Sequence, residues 1–320
     1  MISFLEDLNK KILLFDGAMG TEIQHYQPKQ NDYLDSKEGF NDSLNFTRPE
    51  WIKNIHKNYI KSGSDCIETN TFGSNKLKLD EFGFGHKTIE FNMEAIKIAK
   101  QAGLELQKKV YIVGSMGPSG FLPSSNDPDL GNISLNEIEE AYYLQAQGLI
   151  QGGADVLLIE TGQDILEIKL AIEGCFRAMK KLEKNLPLIS NVTLDQYGKM
   201  LLGSNIQAAY VTLSNLDIDV FGLNCSTGPV EMTSSIQWLC EQNELPILVM
   251  PNAGMPINEN GQAKYLMSPK EITEKLSEFI KRYDKIRLIG GCCGTTPEHI
   301  VTLRQMLDTR SFLYTIDKKN

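Results

Sequence analysis

Hydrophobic residues along this chain fall into short blocks. Runs rich in Val, Ile and Leu occupy residues 12–15, 66–68, 110–113, 156–159, 188–192, 220–223, 247–250 and 286–289. Most are near-continuous, as parallel strands covered on both faces are. Amphipathic stretches of helical length separate them, at residues 49–62, 88–108, 135–151, 164–181, 205–215, 230–242, 269–283 and 297–307. Ser268-Pro269 and Thr296-Pro297 each place a capping residue before a proline at the first helical position. Gly63, Gly103 and Gly152-Gly153 fall near helix ends.

Eight strand–helix repeats without a break in composition predict an α/β chain folded as a single-domain (β/α)8 TIM barrel over residues 1–320. A doubly wound sheet is the runner-up, although it would more usually have fewer strands. Residues 25–47 and 117–133 read as long loops after the first and third strands, and loops of that length tend to be functional.

Every apolar run ends in a polar or glycine-rich signature. In order these are Asp16-Gly17-Ala18-Met19-Gly20, Glu68-Thr69-Asn70-Thr71-Phe72, Gly114-Ser115-Met116-Gly117-Pro118, Glu160-Thr161, Asn191-Val192-Thr193, Asn224-Cys225-Ser226, Asn252-Ala253-Gly254 and Gly291-Cys292-Cys293. The carboxyl ends of barrel strands are where such folds carry their chemistry. Packing alone does not account for eight such ends in succession.

Composition narrows the function. With 32 Lys and Arg against 41 Asp and Glu, the net charge is 32 − 41 = −9, and no large basic cluster occurs. Nucleic acid and anionic membrane are therefore not the expected partners. The first residues carry acids where a signal peptide needs an apolar core, and no run is long enough to span a bilayer. A cytoplasmic setting is expected. There six cysteines (66, 175, 225, 240, 292 and 293) serve metals or catalysis more often than disulfides.

Three of those cysteines stand at strand ends. Cys292 and Cys293 follow a diglycine, and Cys225 closes Gly222-Leu223-Asn224-Cys225. Adjacent side chains on a regular strand face opposite ways, so Gly290 and Gly291 are expected to supply a positive φ or a bulge that turns both sulfurs together. Three protein ligands around zinc leave one position open, the arrangement of a catalytic site. His299, in the first turn of the last helix, is expected to cap or pack. His25, His56 and His86 lack ligand spacing, and Cys66, Cys175 and Cys240 read as core or surface thiols.

The chain resembles the homocysteine S-methyltransferase family, and within it the amino-terminal homocysteine-binding domains of cobalamin-dependent methionine synthases. The likeness rests on the motifs at residues 16–21, 68–72, 152–155, 159–161, 222–225, 251–254 and 290–300, and it runs through residues 10–307. It implies a zinc-dependent transfer of a methyl group to the sulfur of L-homocysteine, giving L-methionine. Cys225, Cys292 and Cys293 would hold zinc and the substrate thiolate would take the fourth position. Asn252 matches a family position able to approach the metal when substrate is absent.

A free thiol is only a few per cent ionised at neutral pH, and zinc removes its proton outright. Three cysteinates give the centre a charge of +2 − 3 = −1 and bound homocysteine brings it to −2, which keeps the sulfur nucleophilic. Glu160 is the expected partner of the substrate ammonium, a role the resemblance supports. Gly17, Ala18 and Met19 belong to a loop able to present N–H groups to the carboxylate. Asp16 is expected to orient that loop or to contact the ammonium. Glu68, Thr69 and Asn70 line the same mouth without a separable role.

No Asp-x-His-x-x-Gly cobalamin motif occurs in the chain. Methylcobalamin carried by another domain or protein, a cobalamin- and folate-binding methionine synthase subunit, is the expected donor. S-methylmethionine or betaine used by a stand-alone enzyme is the alternative. A metal-free thiol–disulfide protein is the reading from another class.

Overall fold

In the computed structural model, residues 3–242, 244–259 and 262–317 are described. Eight parallel strands ring the centre: Leu13–Leu14, Cys66–Glu68, Tyr111–Met116, Val156–Gly162, Leu188–Val192, Val220–Asn224, Ile247–Met250 and Ile286–Ile289. The first strand pairs with the eighth, and the ladder then runs back in order to the second. Helices follow the strands, among them Pro49–Ser62, Thr88–Glu105, Leu135–Gly152, Ile165–Leu182, Pro269–Arg282 and Pro297–Asp317. This is the expected (β/α)8 TIM barrel.

The ladder leaves a seam between the first two strands, and a side chain closes it. The Asp65 N–H donates to the Leu14 carbonyl at 2.7 Å, and the Leu14 N–H donates to Asp65 Oδ2 at 2.9 Å. Asp155 makes the same double contact with Ile112 of the third strand, and Asp219 with Leu188 of the fifth. An aspartate thus precedes the second, fourth and sixth strands and fixes the register of the strand before it. Replacing Asp65 with alanine strands the Leu14 N–H, buried beside a fully covered leucine. The expected loss is about 1–3 kcal/mol, read as a lower urea midpoint at constant slope. An unchanged midpoint would mean that the seam holds without it.

Two apolar layers build the core. Leu13, Phe15, Val113, Val156, Leu158, Ile189, Val220 and Leu288 fill the barrel interior, while a larger set packs between the sheet and its helices. The short helix Phe4–Leu8 plugs the lower end: Phe4 and Leu8 join the interior cluster, and Phe4 meets Tyr111 edge-on at 5.3 Å. With one end of the barrel closed by apolar side chains, the polar strand ends are left at the other.

Candidate active site

The cysteines lie just past their strands, where alternation no longer dictates direction. Cys225 adopts φ 61° and Ser226 φ 62°, left-handed conformations that cost a non-glycine residue about 1–3 kcal/mol. That turn swings the Cys225 sulfur toward the eighth strand. Gly290 and Gly291 do not have the positive φ expected of them; Gly294 does, at 79°. The diglycine supplies space instead. A Cβ on Gly290 would lie 2.6 Å from Phe15 Cβ, and one on Gly291 would lie 2.4 Å from Thr295 Oγ1. The absent side chains let the cysteine loop settle onto the first strand, with the Gly291 N–H donating to the Asp16 carbonyl at 3.1 Å.

The three sulfurs converge. Their Sγ atoms lie within 4.8 Å of one another, with Cys225 and Cys293 3.7 Å apart. Sulfurs on a tetrahedron around zinc, with bonds of about 2.3 Å, would stand about 3.8 Å apart. The donor set fits that ion. Contacts with Cys225 and Cys293 push the Cys292 thiol up, while those from Cys225 and Cys292 hold the Cys293 thiol below its ordinary range. Among the described residues no other cluster of His, Cys, Asp or Glu has ligand geometry.

Beside the sulfurs is a layer of buried acids. Glu160, at the end of the fourth strand, accepts from the Ser115 hydroxyl and, at 3.0 Å, from the Asn224 amide. Asn224 Oδ1 in turn accepts the Thr161 N–H at 2.8 Å, which braces Thr161 at φ 56°, a strained value for a β-branched residue. Burial raises the Glu160 carboxyl. Glu68 is raised well above its ordinary range, first by burial and then by the charges of Glu160 and Asp16. Glu68 Oε1 has no protein partner. Buried acids crowded in this way favour a cationic ligand.

These groups face a cavity of about 430 Å³, lined among others by Gly17, Ala18, Met19, Glu68, Phe72, Ser115, Glu160 and the three cysteines. Residues 17–21 are not a simple turn: helix Met19–His25 begins there, and the Ala18 N–H is already given to Thr295. Asp16 lies behind the lining, 1% exposed. Its Oδ2 accepts the Glu68 N–H at 3.0 Å, so it joins the first and second strand ends. Asn252 also sits outside the lining, with its N–H on the Thr227 carbonyl and its Oδ1 unpartnered.

His299 caps its own helix through Thr296 and reaches the Met267 carbonyl at 3.1 Å, far from a ligand role. Cys66, Cys175 and Cys240 are free and buried. Ser115 and Asn224, which hold Glu160, were not singled out from sequence. Their strand-end positions on either side of Glu160 were the available signal.

Fold and site together define a class: a TIM barrel whose mouth sets three sulfurs beside buried carboxyls. The chain belongs to the homocysteine S-methyltransferase family, whose sequence profile it matches over residues 13–307. It is 40% identical over 299 residues to methionine synthases of Mycobacterium tuberculosis and Mycobacterium leprae. That match takes in 92% of this chain and 24% of each relative, so the chain spans about a quarter of their length. The fold is also that of the Escherichia coli homocysteine methyltransferase MmuM. Its oxidised form superposes with a TM-score of 0.74 at 22% identity, covering 93% of this chain and 97% of that one, and its metallated form with 0.73. Among the described residues no helix is long and apolar enough to cross a membrane.

Proposed function

We propose that this chain transfers a methyl group to the thiolate of L-homocysteine to form L-methionine, as the homocysteine-binding unit of a cobalamin-dependent methionine synthase. In this reading residues 1–320 form one domain. Methylcobalamin is presented by another domain or subunit, and the setting is cytoplasmic. The observation that carries the reading is the convergence of Cys225, Cys292 and Cys293 within 4.8 Å, in the same cavity as Glu160 and Glu68. Identity of 40% to methionine synthases supports methionine as the product.

Cys225, Cys292 and Cys293 would hold zinc, which would supply the substrate's sulfur as a thiolate at neutral pH. Glu160, fixed by Ser115 and Asn224, would take the substrate ammonium, with Glu68 adding charge at its side. The Gly17–Met19 segment borders the same cavity and would receive the carboxylate, while Asp16 holds that segment against the second strand. Asn252, whose N–H is held by the Thr227 carbonyl, would approach the metal through its unpartnered Oδ1 when substrate is absent. Such an arrangement would hold both ends of homocysteine, its amino-acid group at the acids and its sulfur at the three cysteines. A carbon–sulfur bond forms as the donor's bond to the methyl carbon breaks, the electron pair staying with the donor.

The test combines metal analysis with turnover. About one zinc per chain is expected from the three-sulfur donor set, together with methionine formation from homocysteine and free methylcobalamin. S-methylmethionine and betaine serve as the competing donors. Reduced protein that takes up no zinc sinks the reading, and turnover with betaine or S-methylmethionine alone replaces the proposed donor.

A further inference from the structure

The long loop after the first strand, expected from its length to be functional, closes against the end of the second strand. Phe40 anchors it: the ring is buried and stacks on Phe82 at 4.2 Å and on Phe91 at 5.5 Å. The polar residues that follow reach across. Asn70 Nδ2 donates to the Asn41 carbonyl at 2.9 Å, and Asn45 Nδ2 donates to the Asn70 carbonyl at 2.8 Å. Asp42 Oδ1 accepts the Gly73 N–H at 3.1 Å and also the Ser74 hydroxyl. Gly73 leaves room for this, because an added Cβ would lie 3.0 Å from Asp42 Oδ2.

The Asp42 side chain is buried. A carboxylate in such a place is costly unless hydrogen bonds offset it, and both of these bonds go to one turn, residues 73–74. The stacked Phe40 already holds the loop, so what the acid fixes is the turn. Phe72 stands immediately before it. That ring is 46% exposed and lines the cavity that also holds the three cysteines. It is fixed from the other side as well. The Phe72 carbonyl accepts the Gly117 N–H at 3.0 Å, and a Cβ added to Gly117 would lie 2.7 Å from the Phe72 ring.

We propose that Asp42 is a positioning residue of the active site. Through Gly73 and Ser74 it holds Phe72 as a fixed apolar wall of the cavity, against which the methylene chain of homocysteine packs. The inference rests on the reading that this cavity takes homocysteine. It gives the long loop a part in orienting substrate, although the sulfurs lie on other strand ends.

A double-mutant cycle tests it. Asp42→Ala should lower kcat/KM for homocysteine about 10- to 100-fold, since a displacement of about 1 Å at a site can cost that much. Zinc affinity should stay at the wild-type value. Asp42→Asn keeps an oxygen able to accept both donors and should restore most of the loss. Phe72→Ala should cost about as much as Asp42→Ala, and the double variant no more than either alone, because the acid acts through the ring. Where Asp42→Ala fails to fold, Ser74→Ala removes a single donor and should show the same pattern at smaller amplitude. Additive losses in the cycle, or wild-type kcat/KM in Asp42→Ala, overturn this inference alone. Weakened zinc binding in folded Asp42→Ala overturns it too, by moving the effect to the sulfurs. Wild-type protein that makes no methionine from homocysteine with any of the three donors overturns it together with the functional reading.

Discussion

Cys225→Ala is expected to lose its zinc and, with it, homocysteine methylation, while the barrel stays folded. The sulfur removed is one of three within 4.8 Å, and the two that remain are adjacent in sequence on a single loop. No other His, Cys, Asp or Glu among the described residues has the geometry to replace it. A thiol left to its own ionisation is only a few per cent thiolate at neutral pH, which costs roughly 30-fold. Loss of fixed orientation costs at least as much again, so turnover should fall about 10³-fold or more. Stability should barely move, because Cys225 belongs to neither apolar cluster and is only partly buried. A shift within about 0.5 kcal/mol is typical of such a site, compared in metal-free protein so that ion binding does not enter. Metal content, turnover and a denaturation curve decide it. A variant with full zinc and full activity would remove the three-sulfur assignment.

The barrel was legible because buried parallel strands leave near-continuous apolar runs, and the runs at 66–68, 188–192, 247–250 and 286–289 coincide with observed strands. The third and fourth strands extend further than their apolar runs, to Met116 and Gly162. Ser115 and Glu160 remain in those ladders because the top layer of the barrel interior is polar, so hydrophobicity marks the strand only up to the site. The plug helix Phe4–Leu8 is too short to show an apolar period, and only the capping box of Ser3 and Glu6 signals it. The hairpin formed by Ile257–Glu259 and Gln262–Lys264 left no trace because the residues of its first strand are exposed and carry no apolar period. The cysteine trio was legible as a set, but its mechanism of convergence was not. The turn at Cys225 depends on a positive φ in a residue that ordinarily avoids it, whereas the diglycine acts through close packing.

Glu160→Gln should separate substrate binding from stability in opposite directions. Glutamine keeps the size of the side chain, and the Ser115 hydroxyl can rotate to suit the amide, so the site's shape is preserved. The charge that would meet the homocysteine ammonium is lost. Truncating one member of a buried, hydrogen-bonded charge pair costs about 2–4 kcal/mol, which is roughly 30- to 1000-fold in KM for homocysteine. Zinc content should not change. The free protein should gain. Burial holds the Glu160 carboxyl above its ordinary range. A carboxyl raised in this way binds more protons folded than unfolded, so its contribution to stability declines as pH climbs from the unfolded value, about 4.3, through the folded one. At neutral pH the wild-type protein carries that penalty without substrate, and the neutral amide does not. Metal-free Glu160→Gln should therefore melt at or above the wild-type temperature at pH 7.5, and the gap should close in acid, where both side chains are uncharged. A melting point below wild type at pH 7.5, or an unaltered KM, would show that Glu160 supports the barrel instead of receiving the substrate.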